Sequence, residues 1–493
     1  MEYTKGPKIN IKATRETSRD NLGVNGAQTT IQDLLCPVIN TVTYRAFYWI
    51  FLVWNYYDFF KHAGKKNFSS KKTTEDFQYN YLRKHDYFFV LGNIIAHNTD
   101  QRNLVGIAAA SEDAKKPGPY KFNREYFKGG FGGMDYYVAG CRSFGFTTNR
   151  DRSNEEEIKG INRVTPQGEP LGKAFEDVIS GTRYFKEYRY KDTEIPKDVL
   201  EELGNTIRLD LQGMDECKRL MRDALFSENE CFYNKRLIES KDYLLYLYNN
   251  KFIQTRPSDK SFREVLYDYF SPRGNKLSYP DSLEYTVKAW ETLVGRQYFT
   301  ISIEMICKAM VYTLDVPKTY DKLKGDLIQY STWEMIDDLE KPISYYIPSC
   351  KFSFDKRESQ IEKCFRSVRR YDKNCEVGLQ TMLSVYNRFK DRDDIDAGLL
   401  DVGGDVSVAE FIRIIDEMMD RPVIDFLDYV MDKWIICRNE MVALEKMFNN
   451  RDGYIFERIG SLISSTDRPP ATDFQEIRLK NLLQIMADLD VVN

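Results

Sequence analysis

Apolar residues in the second half of this 493-residue chain recur at spacings of three and four, and that period sets the fold class. Within residues 423–448 the series is Phe426, Leu427, Val430, Trp434, Cys437, Met441, Leu444 and Phe448. Nearly every segment after about Thr193 carries the same helical period. Breakers at Pro272, Pro280, Pro317, Pro342, Pro348, Gly403–Gly404 and Pro469–Pro470 divide this region into about ten helices. The stretch "PISYYIPSCKFSF", residues 342–354, reads instead as a strand or extended link. The length exceeds what one core can organise, so about two to four domains are expected.

The N-terminal part is also helical. Residues 1–28 read as a polar arm without the apolar centre of a signal peptide. From Thr29 or Thr30 a largely apolar helical stretch runs to Phe60, with a break or kink near Cys36 imposed by Pro37. Its most apolar run, "AFYWIFLVW", has nine residues. A membrane span needs about 20, so this run is expected as a buried helix and no membrane partner is implied. A second helix is expected over 76–97. Hydrophobic residues make up 42% and charged residues 30%, with a net charge of −4, so the chain is globular and no global field draws it to nucleic acid. The nine cysteines form no C-x-x-C pair and are odd in number. Buried thiols in a reducing cytoplasm are the expectation, rather than a zinc ribbon or a disulfide framework.

Between these helical parts the order of elements changes. "FNREYF" reads as a short helix, "KGGFGG" as a turn, and "MDYYVAGCRSF" as a second short helix stopped at Gly145. "FGFTTN" and "INRVT" are strand-like around the charged loop "RDRSNEEEIKG", and a helix over 169–179 closes the unit. The pattern "YYVAGCRSFGF…RVTPQGEPLGKAF" resembles the winged-helix modules of prokaryotic regulators and DNA-defence proteins. Phe144–Gly145–Phe146 stands at the corner after the recognition helix, and Val164, Thr165 and Gly168 stand at the end of the wing. The fold expected is therefore mainly α: a flexible arm (1–28), an N-terminal helical region (29–115), a winged helix-turn-helix-like unit (116–192), and a large C-terminal α-helical part (193–341 and 342–493).

Base reading from a major-groove helix needs Arg, Lys, Asn or Gln. Between Met134 and Phe144 only Arg142 qualifies. Other cations lie among aromatic residues, a mixture suited to phosphate contact and base stacking. Lys115, Lys116, Lys121, Arg124 and Lys128 flank Tyr120, Phe122, Tyr126 and Phe127, while Arg183, Lys186, Arg189 and Lys191 alternate with Tyr184, Phe185, Tyr188 and Tyr190. With Arg142 and Arg163, these cations apart from Lys191 make up the candidate nucleic-acid-binding residues. A third group, Lys363, Arg366, Arg369, Arg370 and Lys373, is diluted by nearby acids.

The three histidines fall close together as His62, His85 and His97, with Asp86 and Asp100 beside them. The adjacent His85–Asp86 pair is similar to that of HD-type phosphohydrolases, which implies a metal-dependent phosphohydrolase or nuclease as the alternative function. "GGFGG" lacks the phosphate-loop arrangement, "DRDDIDAGLLD" misses the spacing of a calcium loop, and no serine elbow is present. No catalytic, metal or cofactor residues are assigned in the leading reading. It is a non-catalytic cytoplasmic subunit or adaptor of a prokaryotic DNA-directed complex, of the kind used in anti-phage or anti-plasmid defence. Its expected partners are an ATPase or nuclease subunit and double-stranded DNA. A self-contained transcription regulator is disfavoured by the chain's length and its poor reading helix.

Overall fold

The computed structural model describes residues 20–63, 71–97, 104–128, 130–148, 162–227, 232–271, 274, 276–351, 353–366, 371–448, 453–466 and 473–492. They contain twenty α-helices and three short strands, so the fold is mainly α. The chain divides into two compact units. One comprises Asp33–Asp259 with Glu476–Asn493, and the other comprises the described part of Met1–Gln32 with Lys260–Gln475. Both are discontinuous in sequence.

The Asp33–Asp259 unit is built on the apolar run that opens the Phe47–Ala63 helix. Pro37 follows the end of the preceding helix at Leu35, where the missing N–H and fixed φ prevent continuation. Phe47 stacks on Phe89 of the Lys71–Ile95 helix at 4.4 Å, and Trp54 packs on Phe175 of the Glu169–Ile179 helix at 5.3 Å. Large aromatic side chains thus fill the space between three helices, and each ring pair adds about 0.5–1.5 kcal/mol beyond burial. A fourth helix, Lys197–Thr206, crosses Lys71–Ile95 at two glycines. A Cβ on Gly204 would lie 2.0 Å from the Gly92 carbonyl oxygen, so only glycine permits this approach.

In the Lys260–Gln475 unit, the 30-residue Glu284–Thr313 helix is buried on every side from Thr286 to Val311. It pairs with the Asn374–Phe389 helix, where a Cβ on Gly378 would lie 2.9 Å from the Ser302 carbonyl oxygen. Because this central helix carries Glu291, Arg296, Glu304 and Lys308, burial forces polar groups inside, where each needs a partner.

Several elements differ from the sequence expectation. "FNREYF" is a turn: Asn123 Oδ1 accepts from the Glu125 amide, and Phe127 takes a positive φ, which together displace the helix. Within the expected extended stretch 342–354, Pro342 instead precedes a short helix at Ile343–Tyr346 and a 3₁₀ turn at Ile347–Cys350. Phe456–Ile459 and Leu462–Ser465 form an antiparallel hairpin, and Lys318–Thr319 adds a third strand with Thr319 opposite Leu462. The two-residue connection begins at Gly460, whose φ of 66° suits the tight turn. The expected 29–60 stretch forms two helices, and the helix expected over 76–97 begins at Lys71 and ends at Ile95.

Candidate nucleic-acid interface and the histidine region

Of the order expected for the wing-like region, the first helix is a turn, the second is a short helix, the two strands are reduced to one bridge, and the closing helix stands at Glu169–Ile179. A 3₁₀ turn over Gly132–Tyr137 leads into the Val138–Ser143 helix, which ends at the left-handed Gly145. Thr147 and Val164 form an antiparallel bridge, reinforced by Thr148 N–H donating to Arg163 O at 2.8 Å. The Thr165 hydroxyl donates to Gly145 O, tying the second strand to the corner before the Glu169–Ile179 helix starts. The charged loop at 149–161 lies outside the described residues.

The Val138–Ser143 helix faces inward. Tyr137, Val138, Gly140 and Cys141 are buried, and Arg142 donates to Asn162 Oδ1 at 2.9 Å. The exposed positions from 134 to 144 are Asp135, Tyr136, Ala139 and Ser143. None of these carries the long cationic or amide group that reads a base edge.

The basic–aromatic residues are mostly held by carboxylates. Lys115 pairs with Glu112 at 2.5 Å, Lys116 with Asp113 at 2.6 Å, Arg124 with Asp192 at 3.4 Å and Lys128 with Glu125 at 3.3 Å. Lys121 is exposed. The local positive charge is therefore small, because Glu112, Asp113, Glu125 and Asp192 stand among these cations. In the second segment Arg183 bridges Asp198 and Glu202, while Lys186 donates to Gly181 O. Arg163 lies over the Phe60 ring at 5.2 Å. Reciprocal backbone hydrogen bonds between Tyr120 and Ile195, both 2.8 Å, bring the ends of the two segments together. In the third group, residues 367–370 lie outside the described residues.

Arg189 belongs to the interior instead. Its guanidinium lies 3.4 Å from the Phe185 ring centroid and 3.5 Å from Asp58, a fully buried carboxylate. Tyr81 and Tyr190 donate to the two oxygens of Asp58 at 2.5 and 2.8 Å. His62 stacks on Tyr190 at 4.1 Å, and His85 Nδ1 lies 2.8 Å from the Tyr184 hydroxyl. Burial, then the charges of Lys84 and Arg189, holds His85 well below the usual imidazole range, so it is neutral. Asp86 points to other partners: its Oδ2 accepts from the Tyr126 hydroxyl and the Gly133 amide, both at 2.7 Å. Burial pushes its carboxyl up to about 7. His85 Nε2 and Asp86 Oδ1 are buried without a hydrogen-bond partner.

The metal alternative therefore has a specific geometry to meet. Successive residues on a helix diverge by about 100°, and His85 and Asp86 accordingly enter separate environments. His97 stands at the end of the same helix, and Asp100 lies outside the described residues. Among the described residues no group of three or more His, Cys, Asp or Glu side chains is placed to hold a metal ion. The eight described cysteines are unpaired, and all but Cys437 are buried. No helix among the described residues is long and apolar enough to cross a membrane.

Sequence reading did not find a cleft of about 650 Å³ in this unit, lined by Tyr44, Arg256, Glu476, Lys480 and Gln484. Its floor includes Arg45, which is paired with Asp488 at 2.9 Å in full burial. Its walls come from segments hundreds of residues apart, and no local motif marks them. Comparison of the chain with protein families, curated proteins and solved structures finds no match in any of the three.

Proposed function

We propose that this chain is a non-catalytic, cytoplasmic subunit of a prokaryotic DNA-directed assembly, of the anti-phage or anti-plasmid defence type. In this reading the wing-like region docks onto an ATPase or nuclease subunit and makes only backbone contact with duplex DNA. The observation that carries the proposal is the exposed face of the Val138–Ser143 helix and the turn before it, which presents Asp135, Tyr136, Ala139 and Ser143. Such a face suits packing against a protein and lacks the groups that discriminate bases. The paired surface cations agree with this, since a phosphate contact by Lys115, Lys116, Arg124, Lys128 or Arg183 would have to displace a carboxylate.

A second reading, the metal-dependent phosphohydrolase or nuclease, draws on the unpartnered buried atoms His85 Nε2 and Asp86 Oδ1. One experiment separates the two. The full chain is purified gently from its native cells, with cross-linking mass spectrometry and metal analysis on the same eluate. The expected result is a co-purifying ATPase or nuclease cross-linked to lysines 115–128 or 186–191. A solitary chain carrying stoichiometric metal, lost on His85→Ala, would overturn the adaptor proposal in favour of the second reading.

A further inference from the structure

A cleft of about 210 Å³ in the Lys260–Gln475 unit is lined by Tyr267, Asp268, Lys351, Arg357, Asn387 and Arg388, among other residues. Its floor is built where the Asp259–Arg263 helix passes into a π-helical turn at Glu264–Asp268, a distortion frequent at functional sites. Two guanidinium groups lie over the Tyr267 ring, Arg357 at 4.9 Å and Arg388 at 5.2 Å from its centroid. Arg357 is 3% exposed and pairs with Asp268. Arg388 pairs with the fully buried Glu291 at 2.5 Å and donates to Tyr267 O at 2.6 Å.

The donors and acceptors do not balance at this wall. Arg357 Nε and the Tyr267 hydroxyl are both buried without a hydrogen-bond partner. Both can donate and both lack an acceptor, a costly arrangement in low dielectric. The cleft's lining carries Lys351, Arg357 and Arg388 against Asp268 alone. Glu291, behind the wall, is shared by Arg388 and Arg392. Lys351 is exposed and forms no ion pair among the described residues. The wall thus has two donors without an acceptor and three cations against one carboxylate in its lining.

We propose that this cleft binds a compact phosphoryl oxyanion, either free phosphate or the phosphate group of a small monoester, through Arg357, Arg388, Lys351 and the Tyr267 hydroxyl. Guanidinium groups suit such an anion because their N–H groups match its oxygens in pairs. The cleft is smaller than the roughly 300–1,000 Å³ of sites for drug-sized ligands, which favours a small anion. Arg357 Nε and the Tyr267 hydroxyl are closed to water, so engaging them draws both side chains toward the ligand.

The test is calorimetric titration of the full chain with inorganic phosphate, ribose 5-phosphate and citrate, in low-salt buffer free of other oxyanions. The expected result is saturable phosphate or ribose 5-phosphate binding that Lys351→Gln weakens about tenfold, without changing the melting temperature of the unliganded chain. Equal affinity for the two would assign free phosphate, and a tenfold preference for ribose 5-phosphate would assign a monoester. Arg357→Lys gives a second variant that keeps the charge and loses the paired N–H geometry, and it is expected to weaken binding as well. The proposal is overturned by the absence of saturable phosphate binding, by affinity unchanged in both variants, or by citrate binding more tightly than either phosphate.

Discussion

Most cations of the basic–aromatic segments, and Arg263 of the Lys260–Gln475 unit, are paired with carboxylates, yet the pairs differ in exposure. Lys115 and Glu112 are 70% and 79% exposed, whereas Arg263 and Glu358 are 6% and 0% exposed. In water such a pair contributes about 0–1 kcal/mol and exchanges freely with other anions. In the interior the desolvation of both ions is costly, and removing one partner strands the other. The surface set is therefore replaceable, while the buried set fixes the packing around the central Glu284–Thr313 helix. The Tyr298 hydroxyl reinforces that set by donating to Glu358 at 2.7 Å.

The contrast is broken most directly at Glu358. Glu358→Ala is expected to destabilise the Lys260–Gln475 unit by about 3–5 kcal/mol, measured by urea unfolding. The double replacement Arg263→Met with Glu358→Leu should recover most of that loss, because it removes both charges together. Asp86 sharpens the comparison within the other unit. Its folded-state value, raised to about 7, lies above the ordinary carboxyl value of about 4. Its contribution is therefore full below about pH 4 and is lost as pH rises through about 7. Asp86→Asn keeps acceptors for Tyr126 and Gly133 and should flatten thermal stability across that window, by a few kcal/mol at its upper end. If the slope persists in the variant, the buried carboxyl is not its source.

Helix contact gives the next effect in size. Gly204→Ala places a Cβ against the Gly92 carbonyl, and a loss of about 1–3 kcal/mol is expected in denaturant unfolding. Smallest of all, a double-mutant cycle on Lys115 and Glu112 should give a coupling below about 1 kcal/mol that vanishes in high salt.

The sequence carried those parts of the fold that depend on local chemistry. Pro37 marks a real break, the 169–179 helix has the expected ends, and Gly145 turns the corner with a positive φ. The Phe456–Ser465 hairpin escaped a reading dominated by helical periods, although Gly460 between two short β-rich runs was an available signal. At 342–354 the prolines mark the starts of short helical turns, whereas their spacing reads as extension. Charge was harder to read. Glu112 and Asp113 are sequence neighbours that offset the lysines, but Asp192 reaches Arg124 across 68 positions. Arg189 has the composition of a surface strip and is instead committed to Asp58, 131 positions away, through a helix pairing no local pattern encodes. The phosphoryl cleft was invisible for the same reason, since Tyr267, Arg357 and Arg388 come together only once the central helix is buried.

The claim that the wing-like region docks rather than reads is tested most directly by duplex DNA binding of the full chain across a salt series. Weak binding without sequence preference is expected, with a salt slope equivalent to about two phosphates or fewer and no change in selectivity with Arg142→Gln. Tight, sequence-selective binding that Arg142→Gln abolishes would contradict it.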